Sequence, residues 1–180
     1  MINFLCFLAG PMIWSLTEYS LHRFLGHEFK FDNLFRKEHV AHHARKDYFA
    51  PMHLKLITAT IIAVVTFLML SLVLPPTPNM IFTLSFVGSF LSYEYYHYYL
   101  HCIPPKTEWG RQLRKHHFYH HFTNPNLNHG VTSTFWDRVF GTYKREDTVQ
   151  IHRKFAMDWL LDNPEFYRSD YVVREVTPYT

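Results

Sequence analysis

Charged residues are few in this chain. Asp, Glu, Lys and Arg make up 18% of its 180 residues, against a usual ~25%. Across the 38 positions from 56 to 93 none of the four occurs, and no histidine either. Cysteine is scarcer still: Cys6 and Cys102 are too few for a disulfide framework or a thiolate metal site. A formal net charge of +3 is too small to argue for a nucleic-acid partner. Disorder is excluded as well, because it goes with high charge and few aromatics, and aromatics here reach 18%. The length suits one domain, taken as 1–180.

The charge-free run is broken once, at Pro75-Pro76-Thr77-Pro78-Asn79, which reads as a turn between two helices. Each half approaches the ~20 residues that a helix needs to cross a bilayer. The expectation is a hairpin of membrane helices over 54–74 and 80–100. Residues 1–17 are uncharged too, and they lack the basic leader and cleavage site of a signal peptide. They make a third, shorter span, in which Pro11 is tolerable. Six Lys or Arg lie in 22–53, eleven in 102–180 and none in 75–79. By the positive-inside rule both basic segments, and every histidine with them, face the cytoplasm.

What the chain has in excess is histidine, fourteen in all. Ten fall into four groups: His22 and His27; His39, His42 and His43; His97 and His101; His117, His120 and His121. Helical positions i, i+3 and i+4 share a face, so each H-x-x-H-H triplet and the His97–His101 pair converge. His22 and His27 stand about 140° apart on an ideal helix, and the pair therefore requires a helix end or distortion near Gly26. His53 and His152 stand alone and receive no role. So many imidazoles on one membrane face point to a shared cation. Ten fit two ions with about five nitrogens each, or four and an open position. Imidazole suits Zn, Fe, Cu and Ni alike. A ferritin-like carboxylate site needs paired Glu-x-x-His motifs, and only Glu94-Tyr95-Tyr96-His97 matches. Glu94 is instead expected to accept a hydrogen bond from a ligand's outer ring nitrogen. His116, one turn before His120, could by helical spacing alone be a ligand, but the H-x-x-H-H pattern prefers His117 and leaves His116 at the cluster's edge; His129 is either a supporting group or a loop histidine.

With these residues in view the chain resembles the fatty acid hydroxylase superfamily of membrane-bound, histidine-rich diiron oxygenases. It is most similar to the catalytic region of the sphingolipid fatty acid 2-hydroxylases. The ten positions meet the superfamily pattern H-x(3–4)-H, H-x-x-H-H, H-x(3)-H, H-x-x-H-H in order. Three passages carry the likeness: Glu18-Tyr-Ser-Leu-His22-Arg-Phe-Leu-Gly-His27, Tyr93-Glu94-Tyr-Tyr-His97, and Gly130-Val-Thr-Ser-Thr-Phe-Trp-Asp137-Arg-Val-Phe-Gly-Thr142. The resemblance runs from about 18 to 143.

It implies an all-α integral membrane protein, with about three transmembrane helices extending into a cytosolic helical cap that holds a dimetal site. It implies two iron ions, O2-dependent hydroxylation of a lipid acyl chain, and no catalytic residue beyond the metal ligands. Zinc could fill the same cage but has no redox chemistry, so zinc in a purified protein would be a stand-in. No haem-binding or iron–sulfur segment is visible, so a separate cytoplasmic electron donor of the cytochrome b5 or ferredoxin type is expected. The compartment is the endoplasmic reticulum or a bacterial inner membrane. Residues 144–180 lie outside the likeness; Phe155, Trp159, Phe166 and Tyr167 are expected against the cap or the membrane surface. Carotenoid ring hydroxylases share the four histidine groups, and sterol desaturases are a further alternative. The passage 136–142 favours the fatty acid and sterol branches. A membrane metal-binding protein without chemistry is the non-enzyme alternative, although 56–74 and 80–93 offer no ionisable residue for an ion path.

Overall fold

Residues 1–167 and 169–175 are described by a computed structural model of the chain. Helix α1 (Ile2–Ser20) packs on α4 (Pro76–Cys102). The approach is closest at Gly10, where an added Cβ would collide with Ser85 Oγ and stand 2.8 Å from the Phe86 amide nitrogen. One turn on, Trp14 meets Phe86 and Phe90 edge-on at 5.5 and 5.2 Å. Helix α3 (Met52–Leu70) has no buried residue. Among the described residues it alone is long and apolar enough to cross a membrane.

The expected helical hairpin is present, with a shifted break. Pro76 and Pro78 do not separate the helices; they occupy the first turn of α4, where a missing N–H costs nothing because those positions have no intrahelical acceptor. The chain reverses at 71–75 instead. Buried Asn79 ties the two helices together, its Nδ2 donating to the Phe67 carbonyl at 2.9 Å.

Beyond α1 the helix widens into a π-helical stretch, Leu21–Glu28, closed by the Phe29 amide donating to the Phe24 carbonyl at 2.7 Å. Helix α2 (Leu34–Ala44) starts at Asn33, whose side chain accepts from the Arg36 amide. Helix α5 (Glu108–Phe122) starts at Thr107, which caps the Gly110 amide, with Glu108 placed favourably in the first turn. Arg114 joins α5 to the end of α4. Fully buried, its guanidinium donates to the carbonyls of Leu100 (2.6 Å), Tyr99 (3.2 Å) and Ile103. The Leu100 carbonyl is one of those that a helix end leaves without an i+4 donor, since residue 104 is proline; Tyr99 also accepts from the Ile103 amide at 3.2 Å.

The C-terminal segment departs from an all-helical fold. After α6 (Phe135–Val139), strands β1 (Val149–His152) and β2 (Tyr171–Arg174) pair in parallel, Val149 opposite Tyr171 and His152 opposite Arg174. Between them lie the short helices α7 (Asp158–Asp162) and α8 (Pro164–Tyr167). β1 alternates buried Val149 and Ile151 with the more exposed Gln150 and His152, the period-two pattern of a half-buried strand. This unit packs its core on Phe118 and Tyr119 of α5. Trp159 and Tyr167 are part of that core, Phe155 lies against it, and Phe166 is exposed. The Trp159 indole donates to the His101 carbonyl at 2.8 Å, bracing the end of α4.

Candidate metal centre

The π-helical stretch settles the spacing of the first pair. With i→i+5 bonding, residues five apart come to the same side, and the His22 and His27 rings lie 5.4 Å apart. They meet His39 and His43 of α2 and His120 of α5. A second set joins His42 of α2, His97 and His101 of α4, and His117 and His121 of α5. Within each set of five the ligand atoms lie within 4.8 Å of one another. The ten histidines grouped by spacing are thus the ten brought together. The sets adjoin: the His43 and His121 rings stack at 4.0 Å with an interplanar angle of 3°.

The rings are held by hydrogen bonds on their outer nitrogens. Nδ1 of His42 faces the Tyr48 carbonyl at 2.6 Å and Nδ1 of His120 the Leu127 carbonyl at 2.8 Å. Nδ1 of His22 faces the carbonyl of His129. A carbonyl can only accept, so each of these Nδ1 atoms carries the proton and each Nε2 keeps a lone pair directed into the cluster. Whether a metal fits can be judged from those inner atoms. Nε2 of His22, His42, His43, His97 and His121 is buried without a hydrogen-bond partner among the described residues. Elsewhere imidazoles crowd nitrogen to nitrogen, His27 with His39 at 2.7 Å, His27 with His120 at 3.0 Å and His101 with His117 at 2.9 Å. Buried ring nitrogens without a partner are costly unless a cation takes the lone pair, so these five Nε2 atoms make the donor set fit metal ions.

Protonation does not relieve the crowding. Burial, and then the charge of neighbouring imidazoles, pushes His22, His39, His117, His120 and His121 well below the ordinary histidine range. Burial likewise holds His27 and His42 down at about 4 and His43 at about 2. The rings are neutral at physiological pH, the form that binds metal.

The three residues expected to support the ligands separate. Glu94 contacts no imidazole through a hydrogen bond among the described residues; its carboxylate pairs with Lys55 Nζ at 2.6 Å. Lys55 reaches it from the adjacent helix, a contact that helical spacing along α4 cannot register. His116 points away from both sets, its Nε2 3.0 Å from Asp137 Oδ2. His129 is fully buried behind the first set, with its ring 5.3 Å from that of His120. Of the two histidines without a role, His53 is exposed and His152 accepts from the Lys154 amide.

Two carboxylates without an assigned role emerge as fasteners. Asp137 accepts from the amides of His129 and Gly130 (both 2.8 Å) and from the Thr142 hydroxyl, besides meeting His116. Burial pushes its pKa up, but His116 and these donors outweigh that and hold it below the usual value. Glu18 takes the amides of Val131 and Thr132 and the Thr132 hydroxyl, strapping the loop to α1. For Glu18, four residues before His22, nearness to a metal-binding run was the available signal; Asp137, sixteen positions beyond His121, offered none of that kind. The carbonyls of Tyr48, Leu127 and His129 left none, because any residue has one.

Beside the cage is a cavity of about 290 Å³. His39, His42 and His97 line it on the cage side, and Trp14, Leu54, Ile62 and Phe90 supply apolar wall from α1, α3 and α4.

Comparison with known proteins agrees with this architecture. The fatty acid hydroxylase family model matches residues 7–142. The ceramide very long chain fatty acid hydroxylase SCS7 of Saccharomyces cerevisiae is 35% identical over 166 residues, covering 84% of this chain and 42% of the yeast protein. The dihydroceramide fatty acyl 2-hydroxylase FAH2 of Arabidopsis thaliana is 34% identical over 137 residues, covering 74% of this chain and 58% of that one. A solved structure titled "Full length scs7p (only hydroxylase domain visible)" superposes with a TM-score of 0.64 at 30% identity, covering 80% of this chain and 56% of that one. The chain therefore spans about half the length of these relatives. With the match running through the cage and its fastening loop, the chain belongs to the fatty acid hydroxylase family.

Proposed function

We propose that this chain hydroxylates a lipid acyl chain, at the carbon next to the carbonyl, using O2 at a pair of iron ions held by the ten histidines. The observation that carries the reading is the apolar cavity reaching His39, His42 and His97 at the edge of the cage. His22, His27, His39, His43 and His120 would hold one ion, and His42, His97, His101, His117 and His121 the other. Iron, when bound, supplies the redox chemistry that lets O2 attack an unactivated C–H bond. The reaction replaces C–H by C–OH; the second oxygen atom leaves as water, taking two electrons from a separate donor of the cytochrome b5 or ferredoxin type and two protons. The chain's own part is to keep ten rings neutral and aimed, and to keep water from the acyl chain with apolar walls.

The setting is a membrane. α3 presents Leu56, Ile57, Ile61, Val64 and Leu68 to its surroundings, and α1 presents Phe4, Leu5, Phe7 and Leu8. Such apolar faces belong in lipid. We place α1, α3 and α4 in the bilayer, in the endoplasmic reticulum or a bacterial inner membrane, with the histidines on the cytoplasmic side.

The test is O2 consumption and product mass spectrometry with a lipid substrate and a reducing system, comparing wild type with His120→Ala. Wild type should yield 2-hydroxyacyl product, and the variant roughly 100-fold less or none. Equal turnover would refute the role of the cage. A hydroxylated carotenoid with unchanged acyl chains would refute the substrate.

A further inference from the structure

The cavity beside the cage holds an ion pair, Lys55 with Glu94, that joins α3 to α4. Four charged residues line it: Glu18, Glu38, Lys55 and Glu94. Three are carboxylates, each already engaged. Glu18 is tied to the Val131 and Thr132 amides, Glu38 accepts from the Tyr48 hydroxyl at 2.6 Å, and Glu94 pairs with Lys55. Lys55 is the only cation in the lining. Its ammonium has three donors, and Glu94 takes one. The side chains of Lys55 and Glu94 are only 15% and 22% exposed. A pair that far from water recovers little net stability, because desolvation offsets the attraction.

Its position is informative. Lys55 Nζ stands 5.8 Å from the centre of the Phe49 ring. The same ring has His42 at 5.1 Å, His101 at 5.7 Å and His97 at 5.9 Å, with Tyr98 at 5.2 Å. The cation is thus one aromatic ring away from the second set of histidines. Glu94, three residues before His97 on α4, holds the ammonium on the same helix face as that ligand. Of the polar groups that a chain entering the cavity meets, the carboxylates can only accept, and Lys55 is the one cationic donor in the lining. The carbonyl oxygen of such a chain, the one strong acceptor on an acyl group, matches the spare donors of Lys55.

We propose that Lys55, steadied by Glu94, binds the acyl carbonyl oxygen and so selects which carbon is presented to the cage. With the carbonyl anchored one ring from the metal ligands, the adjacent carbon is the part of the chain held nearest to them. The inference rests on the acyl-hydroxylation reading, but its test does not depend on turnover. Metal-loaded protein in nanodiscs, kept without reductant, is titrated with palmitamide and with hexadecane as competitors of bound tritiated palmitamide. Wild type should be displaced by palmitamide at roughly tenfold lower concentration than by hexadecane, the scale of one hydrogen bond to a charged donor. Lys55→Met should bring the two within about twofold, and Lys55→Arg should restore most of the difference. Unchanged metal content in both variants checks that the cage has formed. A preference that survives Lys55→Met overturns the anchor while leaving hydroxylation standing. A preference lost in Lys55→Met supports the anchor even if reductant-supplied wild type forms no hydroxylated lipid, a result that would refute only the reaction. With reductant, the variant's product should carry the hydroxyl spread over several carbons, and a product still confined to the 2-position overturns the proposal as well.

Discussion

Each H-x-x-H-H triplet is divided between the two sets. His39 and His43 enter the first and His42 the second; His117 and His121 enter the second and His120 the first. Residues i and i+4 differ by only about 40° around a helix, whereas i+3 and i+4 are about 100° apart. Short imidazole arms at that angle reach different points, so one helix face serves two neighbouring sites. Adjacent residues should then have separable effects. His42→Ala and His43→Ala are each expected to lower bound metal from about two ions per chain to about one, through different sites, and the double variant to remove nearly all of it. Metal analysis of the three purified variants checks this, and a single variant that empties both sites would show the sets to be interdependent.

At the level of elements, the cage depends on how α4 and α5 are joined. α4 carries His97 and His101, and α5 carries His117, His120 and His121, so a slip between these helices misplaces half of the rings. Arg114 prevents it by donating to three carbonyls at the end of α4. Arg114→Met keeps much of the volume but leaves the Leu100 and Ile103 carbonyls without this donor. The expected cost is about 3 kcal/mol or more, visible as a lowered midpoint of denaturation together with reduced metal content. A variant with unchanged midpoint would mean that water replaces the guanidinium. The π-helical stretch is the other decisive element. Its necessity was legible, because an ordinary helix cannot bring His22 and His27 together; that it would be π rather than a helix end was not, because both satisfy the spacing.

For the molecule as a whole, the buried imidazoles set a pH limit. The folded-state values of His27 and His42 are near 4, below the ~6.5 of an unfolded chain. Above about 6.5 both states are neutral and these groups contribute no pH dependence. Between about 6.5 and 4 the unfolded chain binds protons that the folded chain refuses, so stability falls as pH falls. For buried His42 the loss is on the order of 3 kcal/mol by pH 4, and metal release adds to it. Thermal unfolding in detergent from pH 7.5 to 4.5 should show a steadily declining midpoint, steeper for protein that began with metal bound. A flat profile would contradict neutral, buried rings.

The ten histidines, their grouping, the apolar hairpin and the likeness to fatty acid hydroxylases were all legible in the sequence. These features are local: each rests on spacing within one helix or on the length of one apolar run, and helical geometry makes such spacing readable. The partition into two sets of five belongs to the tertiary structure, because it depends on where α2, α4 and α5 cross. The same holds for Glu94, whose partner Lys55 lies 39 positions earlier on another helix, and for the carbonyls that fix the ring tautomers. The parallel strand pair at the C-terminus also escaped the sequence reading, since four-residue strands carry too few alternations to stand out, and only packing on α5 gives them a buried face. The scarcity of charge marked the long apolar helices; the few charges left inside, Lys55 and Glu94 among them, acquired meaning only when the fold brought them to the cavity wall.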